Sequence, residues 1–87
     1  MYGMSLYGRI IGRRLLVKFE RGYCFLVDPG KNVFNIKPKV IRRINSVTLA
    51  VTTGFLYYGK VSMRFDSPAD ADKVESGMTA IISRRHS

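Results

Sequence analysis

The pattern of apolar residues along this chain changes once, and that change limits the folds it can adopt. Up to residue 65, apolar and polar residues alternate in short stretches that are bounded by turn-forming residues. This pattern is typical of half-buried β-strands joined by tight turns. From residue 67 onward, apolar residues recur every three or four positions, which is typical of one face of an α-helix. We therefore expect antiparallel strands followed by a single helix.

Residues 68–83 are predicted to form this C-terminal helix. Ser67 is placed to cap the first turn, Pro68 suits the first helical position, and Asp70 suits the positive end of the helix dipole. Gly77 either weakens the helix by about 1 kcal/mol relative to alanine or lets the helix approach a strand closely. The predicted apolar face consists of Ala71, Val74, Met78 and Ile81.

The strands are predicted from alternation and from turn residues. The clearest predicted strand contains Leu49. Thr53-Gly54, which follows this strand, is interpreted as a two-residue hairpin turn. It leads into a long predicted return strand over residues 55–65. Val40–Ile44 fits either a strand or a single helical turn. The other predicted strands cover residues 6–11, 14–19, 23–27 and 33–36.

The length and the order of elements together predict the fold class. At 87 residues the chain has the length of one small domain. We predict a β-rich fold, all-β or α+β, in the form of a small antiparallel barrel or sandwich of five to seven strands. The C-terminal helix of about residues 68–83 covers an open side of the sheet, and residues 84–87 are expected to form a frayed tail.

The positive charge is distributed unevenly. The net charge is +9, and residues 1–65 carry 12 Lys and Arg against two acids, whereas residues 66–82 carry four acids and one Lys. A surface that serves only solubility normally mixes both signs. The segment up to residue 65 therefore favours a polyanionic partner, either nucleic acid or an anionic membrane surface.

The residues that catalysis needs are sparse. His86, the single histidine, is the second-last residue, so Cys24 has no positioned base to activate it. In an apolar strand, Cys24 is expected to be a small buried hydrophobe. The carboxylates cluster around the predicted helix, where capping and solvation explain them. We expect no enzymatic activity, no metal and no cofactor.

No apolar run approaches the roughly 18 residues that a membrane-spanning helix needs. The N-terminus has no clear features of a signal peptide. The expectation from these two observations is an intracellular protein, cytoplasmic or nucleoid-associated, without a transmembrane segment.

One predicted strand carries two aromatic residues beside cations. Alternation places Tyr23 and Phe25 on the same face, with Arg21 and Lys18 nearby. If that face is exposed, the rings form a stacking surface for bases and the cations contact phosphates. If it is covered, both rings belong to the core. The sequence leaves both alternatives open.

Short motifs in the same region follow one another in a fixed order. They are Val17-Lys18-Phe19, then Arg21-Gly22-Tyr23-Cys24-Phe25-Leu26, then Gly30 and Asn32-Val33-Phe34. Over about residues 15–36 they resemble the signature of cold-shock domains, in which V-K-W-F, K-G-[FY]-G-F-[IV] and D-V-F-V-H strands follow in that order. That family forms a five-stranded OB-type barrel whose aromatics stack single-stranded bases. The resemblance implies a binding face of Lys18, Phe19, Tyr23, Phe25 and Phe34, with Arg21 at the phosphate.

The chain departs from the cold-shock pattern in several places. Cys24 stands where a glycine is usual, and Asn35-Ile36 replaces the V-H pair. There is no Trp, and the link between Phe19 and Arg21 is shorter than in the family. A minimal cold-shock domain also lacks a terminal helix.

The sequence therefore predicts a non-enzymatic protein that binds nucleic acid through a basic β surface with exposed aromatics, and that prefers single strands to duplex. The candidate binding residues are Arg14, Lys18, Phe19, Arg21, Tyr23, Phe25, Phe34, Tyr58, Lys60 and Arg64. Further phosphate contacts are expected from Arg9, Arg13, Lys37, Lys39, Arg42 and Arg43.

Two other functions stay open at this point. Up to seven short strands followed by an amphipathic helix resemble the architecture of pleckstrin-homology domains, which would direct Arg9, Arg13, Arg14 and Lys18 toward anionic lipid headgroups or a protein. The other alternative is an accessory protein that docks on an acidic protein surface through a sheet edge or Val40–Ile44. The sequence leaves homo-oligomerisation open as well.

Overall fold

The computed structural model describes residues 4–54 and 59–85. Within these residues, seven antiparallel strands form one sheet, in the order β4-β3-β2-β1-β7-β6-β5. The β-rich fold with one C-terminal helix that the sequence predicts is confirmed. The elements are β1 Met4–Ile10, β2 Arg13–Glu20, β3 Tyr23–Val27, β4 Val33–Ile36, β5 Pro38–Asn45, β6 Thr48–Thr53, β7 Lys60–Arg64 and α1 Pro68–Arg85.

The sheet curls until its two edge strands meet at one end. Strands β4 and β5 lie at opposite edges of the sheet, yet a single residue, Lys37, separates them in the chain. Seven strands spaced by about 4.8 Å would span about 30 Å if the sheet were flat, whereas a one-residue link spans less than about 7 Å. The sheet is therefore a partly open barrel. Strands β1 and β7 pair through Arg9 with Arg64 and Ile10 with Met63.

The core lies between the concave side of the sheet and α1. All four residues of the predicted apolar helix face are buried. The Ser67 hydroxyl accepts a hydrogen bond from the backbone N–H of Asp70 at 3.2 Å, which confirms the predicted N-cap. The largest fully buried side chains include Ile10, Leu15, Leu26, Ile36, Leu49, Met63 and Met78.

Arg43 ties β5 to the helix. Its guanidinium lies 2.9 Å from Asp72 and 2.5 Å from Glu75, and it donates to the backbone carbonyls of Asn45 and Ser46. The carboxylates of Asp72 and Glu75 raise the pKa of Arg43. Arg43 is therefore engaged within the fold, rather than presented to phosphates as the sequence suggested. Asp72 and Glu75 therefore connect α1 to β5 through Arg43, in addition to lying on the helix surface.

The predicted two-residue turn after β6 is wrong. Thr52 pairs with Lys60, and the backbone N–H of Thr53 donates to the carbonyl of Gly59 at 2.8 Å, so Thr53 belongs to strand β6 and is not a turn residue. Core pairs such as Leu49 with Met63 set this register, and they outweigh the local turn signal at Thr53-Gly54. Residues 55–58 of the predicted return strand lie outside the described residues.

Of the two alternatives that the sequence left for Val40–Ile44, the structure shows the strand, whereas the helix is longer than predicted. Val40–Ile44 belongs to strand β5, which begins at Pro38; proline is tolerated there because the first residue of an edge strand can lack a ladder N–H. The helix extends to Arg85, two residues beyond its predicted end at residue 83.

Candidate nucleic-acid interface

Three arginines form a row across β2, β1 and β7, on the side of the sheet opposite the core. Arg14 lies directly opposite Arg9, and Arg9 lies directly opposite Arg64. All three side chains are exposed. Like charges that are directly opposite on neighbouring strands destabilise a sheet. This arginine row (Arg14, Arg9 and Arg64) therefore opposes folding, and an anion lying along it would remove the repulsion.

The neighbours of Arg14 leave the arginine row strongly positive. The guanidinium carbon of Arg14 lies 5.0 Å from the centroid of the Tyr7 ring, within the range of a cation–π interaction. A terminal nitrogen of Arg14 lies 3.7 Å from a carboxylate oxygen of Asp66, and both side chains are well exposed. An exposed ion pair at this distance contributes little.

An apolar stripe lies beside the arginine row on the same face. It crosses four strands, because Tyr7 is opposite Leu16, Leu16 is opposite Val27, and Val27 is opposite Val33. Tyr7 is 52% exposed and Val33 is 60% exposed, while Leu16 and Val27 are half-buried. Sequence reasoning missed Tyr7, although its spacing of two residues from Arg9 already placed both on one face of β1.

Tyr23 and Phe25 also lie on this outer face, on strand β3, which pairs with the strand that carries Leu16. Tyr23 is 53% exposed, Phe25 is half-buried, and their ring centroids are 6.2 Å apart. Cys24 between them is buried. Lys18 is directly opposite Phe25 and pairs with Glu20 at 3.0 Å. Both rings therefore lie outside the core, and Tyr23 is the one that is largely exposed.

Phe19 and Phe34 lie on the opposite face, so the expectation that they join the rings of β3 is wrong. Phe19 is buried against α1, where its ring lies beside Gly77. Phe34 is opposite Leu26 and packs half-buried against the core. The cause is the register: Phe19 pairs with Cys24, and directly opposite residues share a face.

The remaining candidate residues are separated from one another. Lys60 is exposed on β7, on the same face as Arg64 and four residues from it. Arg21 is exposed in the β2–β3 turn, away from the arginine row. Tyr58 lies outside the described residues. The structure thus brings Arg14 and Arg64 together, with Arg9 between them.

The outer face carries no reactive thiol among the described residues. Burial raises the pKa of Cys24 to about 12, so its thiol is protonated at neutral pH.

Within residues 4–54 and 59–85, no three His, Cys, Asp or Glu side chains come together in a way that could hold a metal ion. No helix in the same residues has both the length and the apolar character needed to cross a membrane.

Comparisons of this chain with known protein families, with curated proteins and with solved structures find no match.

Proposed function

We propose that the protein is a non-enzymatic nucleic-acid-binding module whose interface is the arginine row and the adjoining apolar stripe. The observation that carries this proposal is the direct opposition of Arg14, Arg9 and Arg64 on three neighbouring strands. Three guanidiniums held side by side oppose folding unless a polyanion occupies the surface.

The spacing of the arginine row suits a phosphate backbone. The row crosses two strand spacings, or about 10 Å. Phosphates follow one another at about 3.4 Å per nucleotide along a stacked strand, so the row can contact two or three of them. Each contact releases condensed counterions, which makes the affinity depend on salt.

The exposed rings favour single strands. Tyr7 lies next to Arg14, and Tyr23 and Phe25 lie further along the same face. Bases reach aromatic faces when they are unpaired, and each stacked base contributes about 1–3 kcal/mol with little sequence preference. A strand anchored on the arginine row can turn its bases toward Tyr7 and the apolar stripe.

The proposal is tested by fluorescence anisotropy with single-stranded DNA, single-stranded RNA and duplex DNA, each over a series of salt concentrations. We expect the affinity to fall steeply with salt and to be higher for single strands. Tyr7→Ala and Tyr23→Ala should each weaken single-strand binding more than duplex binding, because they remove stacking and leave the charge unchanged. Binding that ignores salt, or no binding at low salt, would contradict the proposal.

A second candidate function is contact with anionic lipid, as in pleckstrin-homology-like modules. The observed order of seven strands and one helix favours it, as do the exposed Arg9, Arg13 and Arg14 in the first hairpin. Co-sedimentation with phosphatidylserine vesicles and with neutral vesicles distinguishes the two. If the protein pellets equally with both kinds of vesicle, anionic lipid binding is excluded as its function.

A further inference from the structure

The β1–β2 hairpin ends in an apolar residue with an unfavourable backbone conformation. Ile10 pairs with Arg13, so the loop consists of Ile11 and Gly12, whose φ angles are 53° and 71°. Positive φ at both loop positions indicates a type I′ turn. Asn, Asp or Gly is normal at its first position, because a β-branched side chain crowds the backbone there.

Burial does not compensate for this conformation. Ile11 is 58% exposed, and it lies outside the hydrophobic core. The β2–β3 hairpin offers a comparison, since Arg21 there also has positive φ, at 54°, before Gly22; the exposed side chain at that turn is charged. At Ile11, an unfavourable backbone coincides with an exposed apolar side chain. Residues with a strained backbone cluster at active sites, ligand clamps and switch regions, so Ile11 is a candidate for a role in binding.

The surroundings of Ile11 indicate what it contacts. Arg9 and Arg14 of the arginine row form the second residue pair from the turn, next to the pair of Ile10 and Arg13. Arg13, next to the turn, is exposed as well. Proteins that insert an apolar side chain between stacked bases combine it with cations that hold the adjacent phosphates. Ile11 and its neighbours have this composition.

We propose that Ile11 is a wedge that inserts between neighbouring bases of a nucleic acid bound on the arginine row. This proposal rests on the proposed function and adds the tip of the first hairpin to its interface. The arginine row holds the nucleic-acid backbone beside the tip of the hairpin. The side chain of Ile11 moves out of water and packs between the faces of two bases. The step that receives Ile11 is partly unstacked.

The wedge is tested by measuring binding and base stacking on the same single-stranded DNA. The oligonucleotide is purine-rich, carries fluorescein at one end for anisotropy, and contains 2-aminopurine at every third position. A second preparation without fluorescein reports unstacking through a rise in 2-aminopurine fluorescence. The unchanged protein is expected to bind and to raise this fluorescence.

Two substitutions separate the apolar side chain from the turn. Ile11→Asn suits the positive φ but removes the wedge; it should lower the affinity about tenfold, in the range of one lost base contact, and abolish the rise in fluorescence. Ile11→Leu keeps an apolar side chain without the β-branch and should retain both signals within about twofold, by the same stacking argument. Ile11→Gly is a second variant that tolerates positive φ, and it should behave like Ile11→Asn.

The outcomes separate the wedge from the proposed function. If the unchanged protein binds no nucleic acid, the proposed function fails and the wedge with it. If it binds, but Ile11→Asn and Ile11→Gly bind equally well and give the same fluorescence rise, the wedge is wrong and the proposed function stands. If anionic vesicles bind instead, and Ile11→Asn abolishes that binding, the tip inserts into a membrane and the wedge proposal is overturned.

Discussion

The ring of Phe19 in β2 lies so close to Gly77 of α1 that a Cβ on Gly77 would come within 2.9 Å of two ring carbons. Phe19 is buried, so its ring has little room to move away. The helix therefore approaches the sheet at a residue without a side chain. Of the two interpretations of Gly77 that the sequence offered, close approach is the one that the structure shows.

Gly77→Ala should lower the free energy of unfolding by about 1 kcal/mol, and by no more than about 2 kcal/mol. Overpacking a core costs about 1–3 kcal/mol, and it opposes the gain of about 1 kcal/mol in helix propensity. Urea denaturation followed by circular dichroism measures the difference. Ser76→Ala, at an exposed neighbouring position, is the control and should leave stability equal or slightly higher. A Gly77→Ala protein more stable than the original would show that the ring yields.

Arg64→Gln should reduce the salt dependence of nucleic-acid binding. Removing one phosphate contact lowers the slope of log K against log salt by about 0.7 for a single strand. The matched control is Lys73→Gln, which removes the same charge from an exposed position on α1 and should leave the slope unchanged. If both variants change the slope equally, net charge rather than the arginine row determines binding.

Ile11→Asn should raise the free energy of unfolding by about 1 kcal/mol, because a residue held in an unfavourable region of φ/ψ space costs about 1–3 kcal/mol. Asn adopts positive φ more readily than Ile does. Urea denaturation of the original protein and of Ile11→Asn gives the difference in the free energy of unfolding. Ile11→Val keeps the β-branch and should give no gain. Equal midpoints for the Asn and Val variants would mean that strain at this turn is negligible.

Cys24 should resist thiol reagents in the folded protein. Burial raises its pKa from 9.0 to about 12, so little thiolate forms at pH 8, and the reagent has no access to it. The stability that the neutral buried thiol contributes is fully present below about pH 9 and is lost as the pH rises toward 12. Ellman's reagent at pH 8, with and without urea, measures the protection. Equal rates in both conditions would contradict burial of this strand.

The carboxylate of Asp28 should stabilise the β3–β4 loop more at neutral pH than in acid. It accepts hydrogen bonds from the backbone N–H and the side-chain amide of Asn32 at 2.8 and 3.0 Å. The side-chain bond from Asn32 is the main cause that lowers the pKa of Asp28, followed by the backbone bond. This stability is present above the usual Asp pKa of 3.8 and is lost as the pH falls through the lowered value.

Asn32→Ala tests that pH dependence. The difference in unfolding free energy between this variant and the original protein should be larger at pH 7 than at pH 2, because protonation of Asp28 weakens the side-chain bond from Asn32, which only the original protein makes. Chemical denaturation at the two pH values measures it. A difference that stays constant with pH would show that the loop does not depend on the charge of Asp28.

Local signals in the sequence predicted most elements of the fold. The cap at Ser67 and the apolar face of α1 were recognised because both depend on residues three or four positions apart. The strands over 14–19 and 23–27 were recognised because alternation is also local. The turn after β6 was mispredicted because the register of Thr52 with Lys60 is set by core packing along two strands. The faces of Phe19 and Phe34 were mispredicted for the same reason.

The sequence by itself determined which residues share a face of each strand, where the helix begins, and how positive the first 65 residues are. Only the tertiary structure decided which face is covered by α1, and that β1 lies beside β7. Arg9 and Arg64 become neighbours solely through that pairing, which follows from the curling of the whole sheet around one core. Alternation acts within a strand, whereas the choice of neighbouring strands depends on long-range packing. The arginine row is therefore a property of the folded chain.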